Sequence, residues 1–220
     1  MSTRINKYVA QATGMSRRAA DKAISDGKVH INGQPAGIGD QVSSSDQITY
    51  ENNELALPEQ TTTIVLNKPI GYVCSRAGQH SPTIYDLLPE AYRSLKPAGR
   101  LDKNSSGLIL LTNDGNLAYE LTHPKFIKIK QYEVTLNKTL SLSDKQQISL
   151  KGVMLEDGIS KLSLDEMKES KNWLVSMNEG RNRQIRRTFA ALNYKVLKLH
   201  RIRIEDLHLN DLKLGEFKKL

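Results

Sequence analysis

A chain of 220 residues suffices for one ordinary domain with room for a small second one. With 38% apolar and 25% charged residues it reads as a soluble globular protein poor in aromatics, carrying 32 Lys and Arg against 24 Asp and Glu for a net +8. Its apolar runs, such as residues 107–111, fall far short of the roughly 20 residues of a membrane span, and its single cysteine, Cys74, excludes a disulfide framework or a cysteine-based zinc site. Residues 1–7 have no apolar core and no small-residue cleavage site. No secretory signal is read there, and a cytoplasmic location is expected.

The first elements are helical. Ile5, Tyr8, Val9 and Ala12 repeat at the spacing of one helix face, ended by Thr13-Gly14. Ser16 suits the N-cap of a second helix through Ala19, Ala20 and Ile24, stopped at Gly27. Val29 and Ile31 then alternate with polar residues and run into Asn32-Gly33, the strongest short hairpin signal. Val42, Ile48 and Tyr50 suggest further short strands. This unit is bounded at residues 1–50, and the polar, Pro-containing stretch 51–62 reads as a linker.

Residues 63–220 are strand-rich. Thr62-Thr63-Ile64-Val65-Leu66 is β-branched, and Leu108-Ile109-Leu110-Leu111 suits a strand buried on both faces. Leu117, Tyr119 and Leu121 suggest a short helix, and residues 143–150 another. Tyr132-Glu133-Val134-Thr135-Leu136 and Trp173-Leu174-Val175-Ser176-Met177 alternate, as strands with one wetted face do. The expected class is α+β with a mixed or antiparallel sheet.

Charge is uneven. Residues 1–50 hold six basic and four acidic residues, 51–170 hold fourteen and fifteen, and 171–220 hold twelve and five. The last stretch contains Arg181, Arg183, Arg186, Arg187, Lys195, Lys198, Arg201 and Arg203 with no acid among them, the footprint of a polyanion-binding surface. Asn182 would cap a helix with Ile185, Phe189 and Leu192 on its inner face, which puts three arginines at a helix start, where cations are disfavoured. Ordinary pairing with surface acids is the plainer alternative, and only Glu179 is near in sequence.

No phosphate-binding loop or dinucleotide fingerprint occurs. His30, His80, His123, His200 and His208 lack ligand spacing, so neither a metal nor a cofactor is expected. Cys74, in an apolar stretch, reads as a small core residue. Asp102 stands out: it precedes the most apolar strand, between Arg100 and Lys103 and ahead of Asn104-Ser105-Ser106-Gly107. Nearby cations keep such a carboxylate ionised, ready to serve as base or nucleophile, although a structural ion pair is the commoner reason for an Asp beside an Arg.

The run Gly99-Arg100-Leu101-Asp102-Lys103-Asn104-Ser105-Ser106-Gly107-Leu108-Ile109-Leu110-Leu111-Thr112-Asn113-Asp114-Gly115 resembles the catalytic motif of bacterial ribosomal RNA pseudouridine synthases of the RsuA/RluB type. Leu66-Asn67-Lys68-Pro69-Ile70-Gly71-Tyr72-Val73-Cys74-Ser75, His123-Pro124-Lys125 with Lys130-Gln131-Tyr132, and Glu179-Gly180-Arg181-Asn182-Arg183-Gln184-Ile185-Arg186-Arg187 match further family motifs in order. Leu214-Gly215-Glu216-Phe217 looks like the closing strand. The first fifty residues resemble the family's S4-like RNA-binding module, in Arg4-Ile5-Asn6-Lys7-Tyr8, Ser16-Arg17-Arg18-Ala19-Ala20 and Val29-His30-Ile31-Asn32-Gly33. Ser105, Thr188 and Asn193 depart from the usual Thr, Met and Gly, and Asn tolerates the left-handed conformation needed at a helix end.

The resemblance implies isomerisation of uridine to pseudouridine in ribosomal RNA, more in keeping with the large-subunit members, by a monomer without cofactor, metal or membrane. By the same analogy Asp102 is the essential carboxylate, Tyr132 stacks on the extruded base and Arg186 pairs with Asp102. Lys68, Arg100, Lys103, Arg181, Arg183 and Arg187, with Arg4, Lys7, Arg17, Arg18 and Lys22 of the first unit, are the expected RNA contacts. The alternative is an inactive RNA-binding or ribosome-assembly factor on the same fold. Such a copy is expected to have lost Asp102, Tyr132 or Arg186, and all three are present.

Overall fold

A computed structural model describes residues 2–57, 60–78 and 80–220. The chain divides into two compact units, one reaching to Thr62 and including Asn113–Gly115, the other made of Thr63–Thr112 and Asn116–Leu220. No described helix is long and apolar enough to cross a membrane.

In the first unit, β1 (Thr3–Arg4) leads into α1 (Ile5–Thr13) and α2 (Arg17–Ser25), followed by β2 (Val29–Ile31), β3 (Gln34–Pro35), β4 (Gln41–Val42), β5 (Ile48–Tyr50) and β6 (Asn53–Glu54). Ser16 caps α2 as expected, its hydroxyl accepting the Ala19 N–H at 3.1 Å. Asn32 and Gly33 both take positive φ, 51° and 80°, which fits a tight hairpin turn to strand twist. Ile5, Val9, Ala20, Ile24, Val29, Val42 and Ile48 form the core. The expected boundary at residue 50 falls inside a hairpin. β6 pairs with β5, Leu55 donates its N–H to the Ile48 carbonyl, and the Tyr8 hydroxyl donates to the Leu55 carbonyl at 3.0 Å. The stretch read as linker thus begins as the last strand of the first sheet; Pro58 and Glu59 lie outside the described residues.

The second unit contains β7 (Thr63–Lys68), β8 (Lys96–Ala98), β9 (Ser106–Thr112), α3 (Gly115–Thr122), β10 (Lys130–Leu136), α4 (Leu142–Gln146), β11 (Val153–Leu155), β12 (Gly158–Ser160), β13 (Ser163–Glu166), β14 (Asn172–Met177), α5 (Gln184–Ala190), β15 (Val196–Ile204), β16 (Leu207–His208) and β17 (Phe217–Lys219). Its main sheet runs β13-β14-β10-β15-β9-β7-β17, with β16 beside β15 and β8 beside β9. Every pairing in it is antiparallel except that of β15 with β9, so the expected α+β class with a mixed sheet holds. β9, buried throughout, pairs with β7 from Gly107 to Thr112, with β15 over its first two residues and with β8 over its last three. The helix expected over residues 143–150 is α4 continued by a π-helical turn, Gln147–Lys151.

The arginine-rich helix begins later than its sequence suggests. Arg183, not Asn182, is the N-cap, in a left-handed conformation at φ 47°. The Asn182 carbonyl instead accepts the Arg187 Nε–H at 2.8 Å, and the Gln184 side chain accepts the Arg181 N–H. Only Arg186 and Arg187 are helical, so the three-cation helix start does not form. At its far end Asn193 is left-handed at φ 61°, as expected, while buried Thr188 bonds the Ser160 hydroxyl at 2.7 Å.

Candidate active site

The carboxyl end of the Gly99–Leu101 loop, the middle of β10, the start of α5 and the middle of β15 enclose a cavity of about 490 Å³. Asp102, Tyr132, Lys130, Arg183 and Arg201 share its wall. Asp102 is half-buried, and the Arg183 guanidinium stands 3.4 Å from its carboxylate. The loop that carries it is held from several sides. Leu101 exchanges bonds with the Cys74 sulfur, its N–H at 3.4 Å and its carbonyl at 3.3 Å. The Lys103 carbonyl accepts the Gly71 N–H at 2.8 Å, and the Asp102 carbonyl accepts the Ser105 N–H at 3.0 Å. Burial pushes the Cys74 thiol up, so it stays protonated and acts as a structural donor.

Arg186 does not pair with Asp102. Its Nη1 donates to the Val196 carbonyl at 2.9 Å and its Nη2 to the Asn104 carbonyl at 2.7 Å and the Ser105 hydroxyl at 3.3 Å. It fastens the turn after Asp102 to the start of β15, and the direct ion pair falls to Arg183. Burial and Arg183 lower its proton affinity while Asp102 raises it, so the two groups feel each other without a bond.

Lys68 is not a surface cation. Its side chain is wholly buried (0% exposed), its ammonium donates to the Pro69 carbonyl at 2.8 Å, and it cannot reach an RNA phosphate. Burial pulls its pKa down, opposed by Cys74 and Asp102. Arg181 and Arg187 are also engaged. Asp157, in the β11–β12 turn, takes Arg181 Nη1 at 2.9 Å and Arg187 Nη2 at 2.7 Å. Arg181 further donates to the carbonyls of Asp157, Gly158 and Ile159. Pairing with an acid, the plainer alternative for these two, is what the fold realises. Arg181 also meets Glu179 at 3.3 Å, the one acid near in sequence, while the shared partner Asp157 lies more than twenty residues away.

Arg100 and Lys103 are exposed beside Asp102, Lys103 bonding the Ser81 hydroxyl at 2.9 Å. In the first unit Arg4, Arg17, Arg18 and Lys22 are exposed and Lys7 is half-buried. Arg17 bonds the Asn6 side chain at 3.3 Å, and Lys22 faces Asp26 at 3.4 Å.

Tyr132 is buried (7% exposed) on β10, opposite Val175 on one side and Arg201 on the other. Arg201 is the residue that sequence reasoning left among the general basic cluster. Its guanidinium lies 6.0 Å from the Tyr132 ring centre, and its Nε donates to the Leu108 carbonyl at 2.7 Å. No local signal marks it: β15 buries Val196, Leu199, Arg201 and Ile204 without strict alternation, and Leu197 is exposed, so the inward place of Arg201 follows from the sheet and not from the sequence pattern.

Residues 62–191 match the family model described as RNA pseudouridylate synthase, and residues 3–48 match that of the S4 domain. The chain is 38% identical to the ribosomal small subunit pseudouridine synthase A of Pasteurella multocida, over 99% of its own length and 95% of that protein. It is 36% identical to the dual-specificity RNA pseudouridine synthase RluF of Escherichia coli strain K12, over 100% of its length and 76% of the relative. A solved structure of a pseudouridylate synthase superposes with a TM-score of 0.71 at 35% identity, covering 99% of this chain and 95% of that one. An acid in a cavity lined by a tyrosine and several cations therefore sits on the fold of pseudouridylate synthases, and the chain belongs to the RNA pseudouridylate synthase family as a synthase preceded by an S4 domain.

Proposed function

We propose that this enzyme converts uridine to pseudouridine in ribosomal RNA, with Asp102 as the essential carboxylate. The observation that carries the reading is that Asp102 and Tyr132, far apart in sequence, line one cavity with Arg183, Lys130 and Arg201. The target uridine leaves its stack to enter, at a cost of roughly a few kcal/mol, and the Tyr132 ring offers a face for the inserted base. Asp102 then acts on the ribose as nucleophile or as base. Arg183 pairs with its carboxylate, and Arg186 holds its loop in place.

Exposed cations around the mouth, Arg100 and Lys103, take the flanking phosphates. Arg4, Lys7, Arg17, Arg18 and Lys22 of the S4 domain grip folded RNA by shape and backbone. Lys68, Arg181 and Arg187 drop out of this set, since each is buried or already engaged. The expectation of a large-subunit target gains no support from the relatives' names, one of which specifies the small subunit. The proposal therefore stands at ribosomal RNA acted on in the cytoplasm by a monomer. Mapping pseudouridines in both ribosomal RNAs from cells with and without the protein tests it: one or a few sites should vanish. An unchanged map would reject it and favour an RNA-binding factor on the same fold.

A further inference from the structure

Arg201 is 96% hidden from solvent (4% exposed), yet no carboxylate is bonded to it among the described residues. Its Nε is spent on the Leu108 carbonyl, and Nη1 stands 3.5 Å from the Tyr132 hydroxyl. Nη2 is buried with no hydrogen-bond partner among the described residues. A guanidinium taken out of water with donors unmet is costly, and such groups are rare in native proteins unless a ligand completes them. The same side chain lines the cavity that holds Asp102 and Tyr132. Lys130, also on that wall, is half-buried and its pKa is pulled down, first by burial and then by Arg201. Two buried or half-buried cations, Arg201 and Lys130, thus share the cavity wall with Tyr132, and the Arg201 guanidinium is left short of acceptors.

Resting on the pseudouridine synthase reading, we infer that Arg201 is a binding and catalytic residue for the uracil ring, its guanidinium donating to a ring carbonyl oxygen and holding the negative charge that the base acquires when it is detached. A phosphate is the wrong occupant for this position: it stays with the solvated backbone, whereas the inserted base is the part of the nucleotide that reaches a sheltered floor. Uracil offers two acceptors, O2 and O4, both conjugated to N1. When the C1′–N1 bond breaks, its electron pair leaves with the base and spreads from N1 onto those oxygens. This holds whether Asp102 attacks C1′ or removes the C2′ proton. The pair later forms the C5–C1′ bond as the Asp102–C1′ bond breaks or, in the other route, as C2′ takes its proton back from Asp102; C5 gives up its proton and N1 ends protonated, so atoms and electrons balance with no co-reactant. A donor fixed in advance where charge develops lowers that barrier without reorganisation.

The test uses the full-length chain and short RNAs spanning a mapped target, with uridine, 2-thiouridine or 4-thiouridine at the reacting position. Arg201→Met should lower turnover at saturating RNA by about 100-fold while RNA affinity stays within a few-fold. One thio-substitution, at the oxygen that Arg201 meets, should slow the native enzyme by about tenfold and have no effect on Arg201→Met. Arg201→Lys, which keeps one donor and the charge, should recover part of the loss, and it carries the same thio comparison if the methionine variant does not fold. Turnover within about threefold of native, or equal thio effects in native and variant, overturns the assignment to Arg201 and leaves the functional reading intact. A native chain that forms no pseudouridine in any ribosomal RNA overturns the functional reading and this inference together.

Discussion

Gly107 lies opposite Arg201 where β9 and β15 run parallel, and a Cβ built on Gly107 would fall 2.2 Å from the Arg201 carbonyl oxygen and 2.5 Å from its nitrogen. The glycine also sits at φ 108°, a conformation that side chains rarely adopt. This glycine near the start of β9 is therefore what lets the strand bearing Arg201 pair closely with β9, just after the catalytic loop. Gly107→Ala should cost about 3 kcal/mol or more, from backbone strain and overpacking together, and should reduce turnover as the cavity wall is displaced. Urea unfolding reads the first effect and pseudouridine formation the second.

Lys68 gives a prediction with opposite signs for stability and activity. Its folded-state pKa lies below its unfolded one because of burial, so the unfolded chain binds more protons between the two values. Stability therefore rises with pH through that window, and below it the burial penalty is present in full. Lys68→Met should be neutral or stabilising by about 1–4 kcal/mol at pH 7 and should flatten the alkaline rise. Turnover should fall about tenfold as Asp102 loses a nearby positive charge. Thermal melts across pH, paired with initial rates, check both.

Asp157 binds Arg187 and Arg181, and these cations hold its carboxyl below the usual range. A depressed carboxylate pKa contributes stability above the unfolded value and loses it as pH falls through the folded one. Asp157→Asn should thus melt lower than native at pH 7, and the gap should close as pH drops below about 4. Arg187→Gln should leave the salt dependence of RNA binding unchanged, because that guanidinium is already occupied.

The exposed arginines of α2 should behave otherwise. Replacing both Arg17 and Arg18 by alanine should weaken RNA binding at all target sequences and reduce the slope of log affinity against log salt by about 1–2. Filter binding at several salt concentrations reads this directly.

Much of the fold was legible because local rules and tertiary demand agree. The apolar run at Leu108 is the doubly flanked β9, Asn32-Gly33 is the hairpin turn, and Asn193 ends α5 in the left-handed region. What escaped was set by partners distant in sequence. Nothing near Arg181 or Arg187 announces Asp157, and nothing near Asn182 shows that its carbonyl is taken by Arg187, which moves the cap to Arg183. Asp102 stands out by its place between two cations ahead of β9, whereas its role and Tyr132 come from motif resemblance, and both residues line the cavity. Arg183 rather than Arg186 reaches Asp102, a choice between neighbours on one turn that only packing makes. Arg201 was visible as charge and not as an interior residue, because the inward phase of β15 depends on its neighbours in the sheet.

The central claim is that the Asp102 carboxylate carries the isomerisation. The most direct measurement is pseudouridine formation by Asp102→Ala on ribosomal RNA at saturating enzyme, with binding of the same RNA followed in parallel. No detectable pseudouridine with RNA affinity within a few-fold of native is the predicted result. Pseudouridine formed by Asp102→Ala at the native rate would contradict the account.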